Sequence, residues 1–178
     1  DNPITISIPN TSQNDVQATM SGGTLIAHGG GHFIARPSAV GSPVTISVSA
    51  KGRKVGAYQF RVRKLPDPSP YIAMGGDRFK SGPLSKAALM GAPGIHAAID
   101  DGLLDIPFTV TSFRVVFFDN MGNAVPLASN GASFSSQQKE QFRQLSRNKR
   151  FYITNVVVHG PDGITRTLNG RNMEVIVR

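Results

Sequence analysis

Pro66, Pro68 and Pro70 fall at every second position near the middle of the sequence. Three restricted φ angles and three missing N–H donors bar both helix and central strand there. A chain of 178 residues interrupted in this way is expected to fold on either side of the break. We read residues 64–71 as an extended segment stiff enough to set a direction. That gives a first domain over residues 1–65, a Pro-rich linker over 66–70 and a second domain over 71–178.

Before the break, apolar residues alternate with polar ones. Ile4, Ile6 and Ile8 alternate with Thr5 and Ser7, and Val44, Ile46 and Val48 with Thr45, Ser47 and Ser49. After Lys51-Gly52, Tyr58, Phe60 and Val62 alternate with Gln59, Arg61 and Arg63. Period two puts each apolar set on one strand face, so the last two runs predict a hairpin with one dry face. Shorter strands are expected near residues 16–20, 24–27 and 32–36, between Gly22-Gly23 and Gly29-Gly30-Gly31. Such spacing, punctuated by Gly and Pro, predicts a β-sandwich of immunoglobulin-like type.

Beyond the prolines, Ser85 offers an N-cap and Gly91 a stop for a helix of one or two turns. Residues 108–118 form the strongest strand pattern, with Phe113, Val115 and Phe117 on one face. Val116 and Phe118 on the other predict an end buried on both sides, followed by a turn over 120–123. Ser135-Ser136-Gln137-Gln138 matches a capping box for a helix with Phe142 and Leu145 inward, ending near Asn148. Residues 151–159, 164–168 and 173–177 predict a three-stranded meander through Pro161-Asp162-Gly163 and Asn169-Gly170. The fold class expected is mainly β: two tandem small domains, the second β-rich with one or two short helices.

The chemistry-bearing residues support no catalytic site. Cysteine is absent, which removes disulfides and thiol nucleophiles. His28 and His32 have the spacing of two zinc ligands on a helix, but three glycines separate them and no acidic residue is near, so we expect no metal and no cofactor. Residues 75–82 miss the spacing of a phosphate loop and read as a surface loop. No Gly-x-Ser-x-Gly elbow occurs. Asp100, Asp101 and Asp105 could be imagined as paired carboxylates for sugar hydrolysis, yet they flank Gly102 and read as solvated residues beside a turn. The chain is therefore not expected to be an enzyme. Every apolar run is too short to span a membrane, and the opening lacks the regions of a signal peptide, so a targeting segment of an exported parent would lie upstream.

Charge is the remaining signal. With 19 Lys+Arg against 11 Asp+Glu the net is +8, and residues 1–66 alone carry 7 basic and 2 acidic side chains. Lys51, Arg53, Lys54, Arg61, Arg63 and Lys64 belong to one hairpin, where Arg61 and Arg63 share a face. Nucleic acid is disfavoured, because Tyr58 and Phe60 are expected in the core and leave the basic face without stacking aromatics. Ordinary solvated strand surface is the plainer explanation. A partner surface on Arg53, Arg61 and Arg63 is the sharper one.

Four segments together carry a resemblance. The opening Asp1-Asn2-Pro3-Ile4-Thr5-Ile6-Ser7-Ile8-Pro9 is the first, and Val48-Ser49-Ala50 with Phe60-Arg61-Val62-Arg63-Lys64-Leu65-Pro66-Asp67-Pro68 the second. Val110-Thr111-Ser112-Phe113 and Gly160-Pro161-Asp162-Gly163-Ile164-Thr165-Arg166 follow. In this order the chain resembles the C-terminal periplasmic region of the GldM and PorM family. The resemblance implies a non-enzymatic, inner-membrane-anchored component of type IX secretion and gliding, forming long periplasmic homodimers. It implies a proton-driven motor with GldL or PorL, and distal domains that reach a ring of GldK and GldN, or PorK and PorN. The alternative is an immunoglobulin-like adhesion or carbohydrate-binding module of a bacterial surface protein. The absence of Trp and the presence of only Tyr58, Tyr71 and Tyr152 weigh against a sugar platform.

Overall fold

The chain divides between Leu65 and Pro66 into two units, and the computed structural model describes residues 2–100 and 105–178. In the first unit the alternating runs become β1 (Asn2–Thr5), β2 (Val16–Ser21), β3 (Gly23–Gly29), β4 (His32–Pro37), β5 (Pro43–Ala50) and β6 (Arg53–Arg61). They pair as two three-stranded sheets, β1-β4-β3 and β2-β5-β6. In immunoglobulin lettering these orders correspond to B-E-D and C-F-G of the constant-type sandwich. Val16, Ile46 and Val48 form the core, with Ile4, Ile6, Ile8, Ala18, Met20 and Leu25 packed against it. Ile6 and Ile8 follow the end of β1, and the Ile6 N–H donates to the Gly31 carbonyl at 2.8 Å. Only Gly22, at φ +78°, separates β2 from β3. A residue free to adopt positive φ lets the chain change sheets there at once.

The dry face expected of the hairpin is dry on β5 only. Register pairs Val44 with Phe60 and Ile46 with Tyr58, so both aromatics do share the core-facing side. Yet Tyr58 is 56% and Phe60 46% exposed, against 4% for Val44 and 1% for Ile46. Asn2 and Ile4 line the same inter-sheet groove as Phe60, which makes β1 the strand facing β6. Four residues of β1 cover too little of a nine-residue β6.

The second unit contains β7 (Ser69–Met74), β8 (Asp77–Phe79), β9 (Gly82–Leu84), α1 (Lys86–Gly91), β10 (His96–Asp100), β11 (Asp105–Phe118) and β12 (Ala124–Asn130). After these come α2 (Ser136–Gln144), β13 (Arg150–His159), β14 (Thr165–Thr167) and β15 (Met173–Val177). The sheet runs β8-β7-β10-β11-β13-β15-β9, with β12 on β11 and β14 on β13. Phe142 of α2, fully buried, packs its ring on Phe117, Phe134 and Phe151 at centroid distances of 5.6, 5.0 and 5.1 Å. The capping box is complete. The Gln138 N–H donates to Ser135 Oγ at 3.2 Å and the Ser135 N–H to Gln138 Oε1 at 3.0 Å. Gln138 Nε2 also donates to the Leu127 carbonyl at 2.8 Å, fastening the helix to β12.

Several expectations are corrected. The last helix stops at Gln144 rather than near Asn148, where Lys86 Nζ donates to the Arg143 and Leu145 carbonyls at 2.6 and 2.9 Å. Those bonds satisfy carbonyls a helix end leaves open. Phe118 is 43% exposed and Val116 half-buried, so the end of β11 is buried on the α2 side only, as an antiparallel sheet with one covered face allows. The meander is replaced by β14 and β15 lying in succession along one edge of the ten-residue β13, with Leu168 buried between them. Pro70 sits inside β7 opposite Ala97. It is tolerated because β8 joins β7 only from Ile72 onward, leaving the missing N–H without a ladder partner to lose. The expected loop over 75–82 is a tight hairpin, Met74 pairing with Asp77, followed by β9.

Candidate functional site

Arg61 and Arg63 line one groove of about 290 Å³ between the two sheets of the first unit, together with Asn2, Ile4, Phe60 and Val62. Arg53 stands at the opposite end of β6, eight residues and roughly 26 Å away at strand rise. The fold thus brings two of the three expected partner residues together and separates the third. None of the three forms an ion pair among the described residues, whereas Lys51 reaches Asp15 at 3.9 Å. Arg61 pairs with Pro43 while Phe60 pairs with Val44. Alternation therefore directs Arg61 outward and the aromatics toward the groove. Tyr58 and Phe60 are not core residues as expected, but they still lie on the side opposite Arg61 and do not interleave with it.

A second charged cluster was not anticipated. Arg166 on β14 has a side chain only 4% exposed. Its Nη1 and Nη2 donate to Asp162, its Nε stands 3.4 Å from Asp67 Oδ1, and its guanidinium lies 5.2 Å from the Phe108 ring centroid. The Arg166 hydrogen bonds hold the Asp162 carboxyl below its ordinary value of 3.8, helped by the Ile164 N–H. Nearby, Arg171 Nη1 donates to Ser69 Oγ at 2.9 Å. Asp67 and Ser69 stand between the prolines, so these bonds fasten that stretch to the second unit. Both Asp162 oxygens are held by the guanidinium, while its buried Nε makes no hydrogen bond and meets Asp67 only as an ion pair, so the cluster serves as a clamp.

The aspartates once imagined as an acid–base pair are also compensated, not merely solvated as expected. Asp100 accepts from Lys80 at 2.9 Å and lies 3.6 Å from Arg78, while Arg78 bonds Asp105 at 2.8 Å. The Lys80 hydrogen bond holds Asp100 below its ordinary value, the reverse of the raised value a glycosidase acid needs. Asp101 lies outside the described residues. His28 and His32 stand on the β3–β4 hairpin, His32 Nδ1 being 3.3 Å from Thr5 Oγ1. Among the described residues no three His, Cys, Asp or Glu cluster as metal ligands would.

The sequence profile of the GldM C-terminal domain matches residues 66–178, and that of the GldM third domain matches residues 1–63. The chain belongs to the GldM family. No curated protein sequence matches it. Membership makes it a component of the type IX secretion and gliding machinery, in a family of structural components. Two of the segments that carry the GldM resemblance meet at the buried arginine: Asp67 from one, Asp162 and Arg166 from the other. No helix among the described residues is long and apolar enough to cross a membrane.

Proposed function

We propose that this GldM-type chain is the distal part of a periplasmic, force-transmitting arm. It would link an inner-membrane motor, with a GldL- or PorL-type partner, to the outer-membrane-associated ring of GldK and GldN or PorK and PorN type. In this reading the parent is anchored in the inner membrane and works as a homodimer, and the contact surface includes Arg53, Arg61 and Arg63. The observation that supports it best is the pair Arg61 and Arg63, uncompensated among the described residues at the rim of an open groove. Unneutralised cations beside exposed apolar surface favour protein contacts and steer acidic partners.

The test is a pull-down of envelope proteins from a type IX-secreting bacterium, with the chain and each unit alone as bait at low and moderate salt. Recovery of the ring lipoprotein and its companion, weakened by salt and by Arg61→Glu with Arg63→Glu, is the expected result. Unchanged recovery by the double reversal would remove the arginines from the contact. Exposure of Tyr58 and Phe60 restores an aromatic surface to the second reading, an adhesion or carbohydrate-binding module. Binding to a glycan panel without ring recovery would select that reading instead.

A further inference from the structure

The seam that exposes Phe60 has the architecture of a strand site. Its walls are the two inner faces of the sandwich: Asn2 and Ile4 on one sheet, Val44, Ile46 and Phe60 on the other. Its borders are two strand edges, since β1 pairs only with β4 and β6 only with β5 among the described residues. An edge strand presents a row of unpaired N–H and C=O groups and invites another strand. Apolar lining, free backbone edges and an outward cationic rim therefore coincide at one place.

We propose that this seam takes an extended segment of a partner protein by strand addition, and that the segment alternates apolar with acidic residues. The proposal rests on the partner surface of the preceding section and specifies how that surface recognises its target. Period two decides the chemistry of the occupant. A strand laid along the β6 edge sends alternate side chains into the groove, against Ile4 and Phe60, and the others outward beside Arg61 and Arg63. The inward set must be apolar to displace water from that lining. The outward set must be anionic, because the rim cations have no partner of their own among the described residues. A lysine-bearing strand would place like charges side by side at a cost.

The probe is a fluorescein-labelled peptide of alternating valine and glutamate, titrated into the chain by fluorescence anisotropy. Three controls accompany it: the valine–lysine analogue, a valine–glutamate peptide N-methylated at every valine, and one N-methylated at every glutamate. Alternate N–H groups point to opposite edges of a strand, so pairing through one edge requires at least one methylated form to lose binding. The expected result is saturable binding of the unmethylated valine–glutamate peptide and of at most one of its methylated forms, with none of valine–lysine, weakened about tenfold by Phe60→Asp and by Arg61→Glu with Arg63→Glu. Slowed amide exchange confined to β1 or β6 should accompany it. Phe60 is half-exposed and the arginines form no ion pair among the described residues, and circular dichroism of each variant keeps a loss of binding separable from a loss of fold. Equal binding of both methylated peptides would mean charge capture only and would overturn strand addition while leaving the basic partner surface standing. No binding, or protection of the seam that rises with protein concentration because a second copy fills it, would also overturn the proposal. Ring recovery in the pull-down alongside peptide failure would show that the mode of recognition, not the partner surface, was wrong.

Discussion

Arg166 is the residue on which the second unit depends most unusually. A guanidinium this buried is tolerated only because Asp162 and Asp67 neutralise it and Phe108 covers it. Removing one partner of a buried pair strands the other charge, so Asp162→Ala should destabilise the second unit by about 3 kcal/mol in urea unfolding. Asp67→Asn, whose side chain is half exposed, should cost under about 1 kcal/mol. Asp162 binds its proton less readily folded than unfolded, so between those two values the unfolded chain takes up more protons. Its contribution is complete above the ordinary carboxylate range and is lost as pH falls through the lower folded value. Unfolding midpoints should therefore drop between pH 5 and pH 3 (about that range) more in the natural chain than in Asp162→Ala. Equal drops would assign the acid sensitivity elsewhere. None of this was legible in advance: Asp67 and Arg166 lie almost a hundred positions apart, and no local pattern announces a buried cation. The turn residues around Asp162 were legible, but their service to Arg166 was not.

At the scale of elements, caps and alternation were readable because their causes are local. Ser135 and Gln138 satisfy each other's backbone donors three residues apart, and β2, β4 and β5 follow period two. Ser135→Ala should cost about 1 kcal/mol through the lost cap. Phe142→Ala should cost about 4 kcal/mol, because three rings close on that site. Thermal unfolding of the second unit reads both, and a cap loss as large as the core loss would contradict this division of roles. What escaped was cover. Alternation tells which residues share a face, and Phe60 and Phe118 do point where it says. Whether a second layer lies over that face depends on the length of a distant strand such as β1, or on which side α2 packs. Strands as short as β8 and β9 escaped for another reason, since three residues carry no period.

For the molecule as a whole, the sequence disclosed two β-rich units and an excess of cations in the first. The structure adds where those cations converge. Of Arg53, Arg61 and Arg63, the last two stand together at a groove that β1 leaves open. Membership of the GldM family supplies the setting in which such a surface would work. The central claim is that this chain docks on the secretion ring through that surface, and direct titration of purified GldK- and GldN-type ring proteins with the folded chain tests it most closely. Saturable binding should weaken as salt rises from about 50 to about 300 mM and fall about tenfold in Arg61→Glu with Arg63→Glu, while the unfolding transition of that variant stays in place. A folded natural chain that fails to bind the ring at low salt, or binds it equally well after the charge reversal, would contradict the account.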